Sequence, residues 1–122
     1  MTVLICGANG SIGSYIAKEE AKNHEVVGTY RKYDDHAKEL EKNPNITMVH
    51  KNMFEGTDMK EVVDKAREQG PITKLYWLVG ESWNIGWDKL KLEDIRHAVM
   101  MCAEPLASLI IECKPELSDE SN

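Results

Sequence analysis

Short apolar runs alternate along the chain with segments in which apolar residues recur at helical spacing. Four runs have the length and the β-favouring residues of buried strands. These runs occupy residues 2–6, 25–30, 46–50 and 75–79. Helical spacing follows each run, at about residues 11–22, 35–42, 59–69 and 92–113. Strands and helices that alternate in this way predict a parallel sheet covered by helices.

Right-handed connections between successive strands limit the order in which such strands lie side by side. The order third, second, first, fourth satisfies this rule. We therefore predict an α/β fold, a Rossmann-like three-layer sandwich in which a parallel sheet of four strands, in the order 3-2-1-4, has helices on both faces. Lys114 and Pro115 end the last helix, so the predicted domain spans residues 1–113 and a polar C-terminal tail follows at 114–122.

Single residues predict two details of the helices. Asp58 lies at the start of the third helix, where Glu61 is placed to complete a capping box. Pro105 lies inside the last apolar pattern and removes one backbone donor. We therefore expect one long final helix with a kink at this proline.

A glycine motif, Gly-Ala-Asn-Gly-Ser-Ile-Gly, joins the first strand to the first helix. A phosphate-binding turn needs one glycine for an unusual backbone angle, one for close approach of a pyrophosphate, and one for packing of helix on strand. The N–H groups at the helix start attract the anion. The residues predicted to bind it are Gly7, Asn9, Gly10, Ser11, Ile12 and Gly13. The alternative is a tight turn whose glycines have only a structural role.

The end of the second strand indicates which cofactor the fold prefers. In this architecture a carboxylate there binds the ribose 2′-hydroxyl, whereas a basic residue favours a 2′-phosphate. Here Arg31 and Lys32 follow Tyr30, and no carboxylate occurs before Asp34. NADP is therefore predicted in preference to NAD, with Arg31 at the phosphate and Tyr30 or Arg31 against the adenine. The alternative is that both cations are ordinary solvated charges.

Residues after the third and fourth strands complete the predicted cofactor site. Ligands of such folds lie beyond the carboxyl ends of the strands, where the strand order reverses. Asn52 and Met53 follow the third strand, and Gly80 follows the fourth, so we expect them beside the adenine and the inner ribose. Asn52 has the alternative of being an ordinary turn residue.

Composition and charge exclude several other classes of function. The formal net charge is -6 and the basic residues are scattered, which argues against nucleic-acid binding. No apolar run is long enough to span a membrane, and no secretory signal is evident. The three cysteines have no metal-ligand spacing and fit buried free thiols in a reducing cytoplasm. The four histidines are dispersed, so no metal site is predicted.

The glycine motif resembles the Gly-x-x-Gly-x-x-Gly loop of the short-chain dehydrogenase/reductases, particularly their extended and atypical branches. The likeness continues through Thr29, Tyr30 and Arg31, a common strand ending in members that use NADP, and reaches a helix similar to the family's long fourth helix with Pro105 inside it. It covers nearly the whole chain but only the N-terminal half of the family's fold. The resemblance implies a truncated NAD(P)-binding Rossmann domain at residues 1–113.

The chain departs from this family at the positions that carry its catalysis. A catalytic asparagine of the family lies shortly before the proline, and Met101 occupies that place. The family's Asn-Asn-Ala-Gly after the fourth strand is replaced by Gly-Glu-Ser-Trp, and its catalytic serine and Tyr-x-x-x-Lys pair lie beyond the last residue of this chain. The resemblance therefore implies a cofactor-binding protein without catalytic residues of its own.

Three hypotheses about function remain open at this point. The first is an NADP-binding relative without autonomous oxidoreductase activity, the second a reductase completed by a partner chain, and the third a regulatory protein that senses the nucleotide. We also expect a homodimer, because the final helix and the edge of the fourth strand offer more apolar surface than one sheet face can cover. In a monomer, Trp83, Trp87 and the final helix would have to fold back over that edge instead. The alternative for the two tryptophans is that they cover the cofactor.

Overall fold

A computed structural model describes residues 1–52, 55–79 and 87–117. Of Trp87, Met101 and Cys102 it describes the backbone but not the side chains. The strands are β1 (Thr2–Cys6), β2 (Glu25–Tyr30), β3 (Ile46–His50) and β4 (Ile72–Trp77). The helices are α1 (Ser11–Glu20), α2 (Asp35–Glu41), α3 (Lys60–Glu68), α4 (Leu92–Cys102) and α5 (Glu104–Glu112). Two 3₁₀ turns lie at Trp87–Lys89 and Lys114–Glu116.

The four strands form one parallel sheet in the order β3-β2-β1-β4. Leu4 at the middle of β1 lies opposite Val27 of β2 on one side and Leu75 of β4 on the other. The predicted fold class and strand order are therefore confirmed. Because β1 has β2 on one side and β4 on the other, the strand order reverses at its carboxyl end.

Apolar side chains from alternate positions of the strands pack on the two faces of the sheet. One face carries α1 and α2, and its buried cluster is Val3, Ile5, Ala8, Ala17, Ala21, Val26, Leu40 and Ile46. The other face carries α3 and α5, and its buried cluster is Leu4, Cys6, Val27, Met59, Val62, Val63, Ala66, Ile72, Leu109 and Cys113. Burial on both faces explains why the inner strands are almost uniformly apolar.

The start of β4 differs from the prediction. The strand begins at Ile72, three residues before the predicted start, and Thr73 and Lys74 lie within it with exposed side chains. An edge strand has one open side and tolerates polar residues, so its sequence lacks the continuous apolar run of a central strand. A register shift between Thr2 and Val3 accompanies this first part of β4.

The single kinked helix predicted for residues 92–113 is wrong, because the chain forms two helices with Ala103 between them. Ala103 has φ −108° and ψ −50°, which departs from regular helical geometry. Pro105 then lies in the first turn of α5, where its missing N–H would have no partner within the helix. The proline therefore begins a new helix at this point.

The capping box predicted for Asp58 and Glu61 is also wrong. Asp58 Oδ1 accepts the Lys60 N–H at 2.9 Å, and Met59 is the N-cap residue of α3. The buried Met59 N–H donates instead to Ser108 Oγ on α5, at 2.9 Å. A side chain from a distant helix thus satisfies a donor that the local sequence does not.

The C-terminal part of the described chain is joined to α3 by an ion pair. Arg67 Nε lies 2.7 Å from Glu116 Oε1, and Arg67 Nη2 donates to Glu116 Oε2 at 3.1 Å and to the Glu112 carbonyl at 2.7 Å. Glu116 belongs to the 3₁₀ turn at the start of the predicted tail, while residues 118–122 lie outside the described residues. Within the described ranges, no helix has the length and apolar character needed to cross a membrane.

Candidate functional site

Gly7 forms the sharp turn that follows β1. Its φ is +86°, which side chains disfavour, and a Cβ there would lie 2.9 Å from the Leu78 carbonyl oxygen. The Gly7 N–H donates to Thr29 Oγ1 at 3.0 Å, and the Ala8 N–H donates to the Thr29 carbonyl at 2.9 Å. The turn is therefore fixed against β2, and the predicted backbone role of one motif glycine is confirmed at Gly7.

Gly13 allows the first turn of α1 to lie directly on this loop. A Cβ at Gly13 would lie 2.2 Å from the Gly7 carbonyl oxygen and 3.0 Å from Ala8 Cα. Such distances are far inside van der Waals contact, and both neighbours are backbone atoms that cannot rotate away. The predicted role of the third motif glycine, close packing of the helix, is confirmed, and the contact is with the loop directly after β1.

Gly10 differs from these two glycines because no contact among the described residues requires it. It is the N-cap residue of α1 with φ −73° and ψ 171°, an extended conformation open to any residue. Of the atoms that the structure describes, a Cβ there would meet only the Gly7 carbonyl oxygen, at 3.8 Å. Within the described part of the chain, the absence of a side chain at Gly10 therefore leaves an open approach to the backbone of the loop.

The N-terminus of α1 presents its first N–H groups beside this opening. Gly10 provides no side-chain cap, and the first turn of α1 contains no acidic residue. Ser11 and Ile12 are exposed there, and first-turn N–H groups have no carbonyl partner within their own helix. No acidic side chain of the first turn therefore offsets the positive end of the α1 dipole. This helix end lies at the point where the strand order reverses.

Asn9 connects the glycine loop to the segment that follows β2. Its Nδ2 donates to the Lys32 carbonyl at 3.1 Å and to Asp34 Oδ2 at 3.1 Å. His36 Nδ1 donates to the Asn9 carbonyl at 2.9 Å. Asp34 Oδ1 accepts the Ala37 N–H at 2.9 Å and so caps α2. Both carboxylate oxygens of Asp34 are thus hydrogen-bonded to the protein.

Tyr30 and Arg31 lie at the carboxyl end of β2, as predicted. The half-buried Tyr30 ring lies between two rings, with its centroid 5.7 Å from that of Tyr33 and 5.5 Å from that of His50. Arg31 is exposed, and its carbonyl oxygen bonds His50 Nε2 at 3.1 Å. The structure thus brings an aromatic surface and a cation to the same edge of the sheet as the glycine loop.

Of the remaining predicted site residues, the structure describes Asn52 but not Met53 or Gly80. Asn52 is half-buried just beyond β3, at this same edge. Met53 and Gly80 lie outside the described residues, as do Trp83 and the segment that replaces Asn-Asn-Ala-Gly. The side chains of Trp87 and Met101 are also outside the described part of the chain.

The described thiols are buried and weakly acidic. Cys6 and Cys113 are free, as predicted, and both belong to the core. Burial raises the pKa of the Cys6 thiol to about 12 and that of the Cys113 thiol to about 11. Both are protonated at neutral pH and therefore poor nucleophiles. Among the residues that the structure describes, no group of three His, Cys, Asp or Glu residues could hold a metal ion.

Two contributors to the site were missed from the sequence. Thr29 accepts a backbone N–H of the glycine loop, although the sequence indicates it only as a strand residue and as part of the strand ending that resembles the family. The sequence indicates Asp34 only as the first carboxylate after β2, and its bond to Asn9 joins residues 25 positions apart. Such a contact depends on how two loops meet in the folded chain, so a local sequence pattern does not predict it.

Comparison with known proteins identifies the family of this architecture. Residues 3–115 match the NAD dependent epimerase/dehydratase family. No curated protein matches the chain. Similar solved structures include a short-chain dehydrogenase/reductase from Serratia marcescens, with a TM-score of 0.79 and 16% identity over 97% of this chain and 51% of that one.

Two further structures show the same relationship. Serine dehydrogenase from Escherichia coli has a TM-score of 0.76 and 19% identity, over 95% of this chain and 56% of that one. ElxO, solved with NADP bound, has a TM-score of 0.77 and 21% identity, over 93% of this chain and 49% of that one. The chain spans about half the length of these neighbours, and at such identities the likeness shows the fold. Together with the match over residues 3–115, it places the chain in the NAD dependent epimerase/dehydratase family.

Proposed function

We propose that this protein binds a nicotinamide dinucleotide, preferentially NADP, on the glycine loop, and that it does not catalyse hydride transfer by itself. The pyrophosphate would lie over Gly10 and the first N–H groups of α1. Family membership and the fold shared with ElxO, which was solved with NADP, support this proposal. Arg31 and Lys32, both exposed after β2, support the preference for the 2′-phosphate.

The observation that carries the proposal is the free space at Gly10. Gly7 and Gly13 are explained by backbone angle and packing, and a plain structural turn would need no more than these two. A third glycine with an ordinary φ, whose Cβ would have its nearest described neighbour at 3.8 Å, is not required by backbone angle or packing, since threonine would cap α1 about as well. Close approach of a ligand to the loop accounts for it.

Calorimetric titration of NADP⁺ and NAD⁺ into the protein tests this function. Gly10→Val should abolish binding of both cofactors, because the branched side chain occupies the ligand's approach. Gly10→Thr should do the same while capping α1 about as well as glycine, which controls for a weaker helix start. Gly10→Thr should keep nearly the melting temperature of the unchanged protein, whereas Gly10→Val, which caps the helix poorly, should lower it by a few degrees.

Gly13→Ala is the contrasting variant in the same motif. Its Cβ meets backbone atoms, so we expect a large loss of thermal stability in the absence of any ligand. Unchanged affinity in both Gly10 variants, or no dinucleotide binding by the unchanged protein, would contradict the proposal. Steady oxidation of NADPH by the purified chain with carbonyl substrates would contradict the proposed lack of catalysis.

We further propose a homodimer in the cytoplasm. Leu92, Ile95 and Val99 recur at helical spacing on α4 and are 62%, 50% and 49% exposed. Met100 and Ile110 are also exposed, whereas Leu109 is buried against α3 and the sheet. An apolar stripe of this kind on a helix supports pairing across a two-fold axis. The free thiols of Cys6 and Cys113 fit a reducing compartment.

A further inference from the structure

Asp34 poses a problem for a site that prefers NADP. It follows β2 by four residues, in the segment that meets the ribose 2′-position in this fold. A carboxylate there accepts the 2′-hydroxyl of NAD and repels the 2′-phosphate of NADP. The cations Arg31 and Lys32 would then act against a negative charge in the same segment.

Both oxygens of the Asp34 carboxylate are hydrogen-bonded to the protein. Oδ1 accepts the Ala37 N–H at 2.9 Å, and Oδ2 accepts Asn9 Nδ2 at 3.1 Å. The carboxylate is therefore held between the start of α2 and the side chain of Asn9. The same Asn9 amide also bonds the Lys32 carbonyl, which holds the two loops together.

We propose that Asn9 is a positioning residue for cofactor selection, which acts by holding the Asp34 carboxylate away from the ribose 2′-position. This inference rests on the proposed function, because it assigns a selectivity to the same site. In this proposal the Asn9 side chain influences the cofactor indirectly, through Asp34, and does not contact the cofactor itself. Without the Asn9 amide, Asp34 Oδ2 loses one partner and becomes available to the 2′-hydroxyl.

The ratio of affinities for NADP⁺ and NAD⁺ tests this inference. Asn9→Ala should lower the NADP⁺ to NAD⁺ affinity ratio about three- to tenfold, the size of one charge interaction near an exposed surface. Asn9 has no positive φ, so alanine is compatible with the backbone of the loop. Asn9→Ser, whose hydroxyl is too short to reach Asp34, serves as a second variant with the same expected result.

The Asp34→Ser background separates selection from loop stability. Serine caps helices as well as aspartate does and carries no charge. In this background Asn9→Ala should leave the affinity ratio unchanged, because no carboxylate remains to be released. Asn45→Ala is the matched control. The Asn45 Nδ2 donates to the Ala21 carbonyl at 3.0 Å, and Asn45 directly precedes β3, at the amino end of that strand. This variant should change neither affinity.

The outcomes distinguish the inference from the proposed function. Equal losses of both cofactors in Asn9→Ala, or the same change of ratio with and without Asp34, would overturn the positioning role while dinucleotide binding stands. No binding of either cofactor by the unchanged protein would overturn both. A ratio that falls only when Asp34 is present is the result expected.

Discussion

Arg31 is the residue whose charge should contribute most to the preference for NADP. It is exposed at the carboxyl end of β2, where the proposed charge-assisted contact to the 2′-phosphate would form without a burial cost. Such a contact contributes about 1.5 kcal/mol at an exposed site, which corresponds to about tenfold in affinity. Arg31→Ala should therefore weaken NADP⁺ binding about tenfold and NAD⁺ binding much less, as measured by calorimetry.

Lys42→Ala provides the control for this charge change. Lys42 is an exposed cation at the C-cap of α2, so its removal changes the net charge equally but at the far end of that helix. We expect no change in the ratio of the two affinities. Equal losses of NADP⁺ and NAD⁺ in Arg31→Ala, or a preference of the unchanged protein for NAD⁺, would contradict the assignment.

At the residue scale, the local requirements of the glycine loop were predictable and its long-range bonds were not. The φ of Gly7 and the close packing at Gly13 follow from a strand that turns directly into a helix, and the motif encodes both. The bond from Asn9 to Asp34 joins two separate segments. Asparagine and aspartate are common in turns, so neither residue type predicts the contact.

At the element scale, the first three strands were predicted with the observed bounds and the final helix was not. β1 and β2 are central and buried on both faces, so their apolar runs begin and end with the strands. β3 is an edge strand and mostly half-buried, and its short run still matches the strand. Apolar spacing continues through Ala103, so periodicity shows no break between α4 and α5. The break between the two helices is visible in the backbone angles of Ala103 and in the position of Pro105 within the first turn of α5.

The ion pair between α3 and the last 3₁₀ turn predicts a pH dependence of stability. Hydrogen bonding to Arg67 lowers the pKa of Glu116 below its usual value. A carboxyl group with a lowered folded pKa stabilises the protein above its unfolded pKa of about 4.3 and loses this contribution as the pH falls. Glu116→Gln should therefore lower the melting temperature by a few degrees at pH 7, and the difference should shrink below about pH 4.

Glu68→Gln on the same helix is the matched control. Glu68 pairs with Lys65 at 4.0 Å, and both side chains are well exposed, so its loss should change the melting temperature very little. A difference between Glu116→Gln and the unchanged protein that persists undiminished at pH 3 would show that the Arg67 ion pair is not its source.

At the scale of the whole molecule, the strand order was predictable because the connection rule leaves few arrangements for four alternating units. The rule also leaves β4 at an edge, with β1 as its neighbour in the described sheet. The helix α4, which carries the exposed apolar stripe, is the first α-helix after this edge strand in the described chain. In the part of the chain that the structure describes, a strand with a neighbour on one side only and an apolar helix face therefore lie close together in sequence.

This surface leads to the last prediction, that the protein is a dimer whose interface includes α4. Ile95 is the middle member of the stripe and half exposed, so Ile95→Glu should place a charge at the centre of the interface without disturbing the core. Light scattering at micromolar concentration should give twice the chain mass of 13.8 kDa for the unchanged protein and a value near the chain mass for Ile95→Glu. Tyr15→Glu changes a still more exposed residue on α1, on the face of the sheet opposite the one covered by α3 and α5, and should leave the dimer intact. A single-chain mass for the unchanged protein would exclude the dimer, and loss of the dimer in Tyr15→Glu alone would move its interface to the face covered by α1.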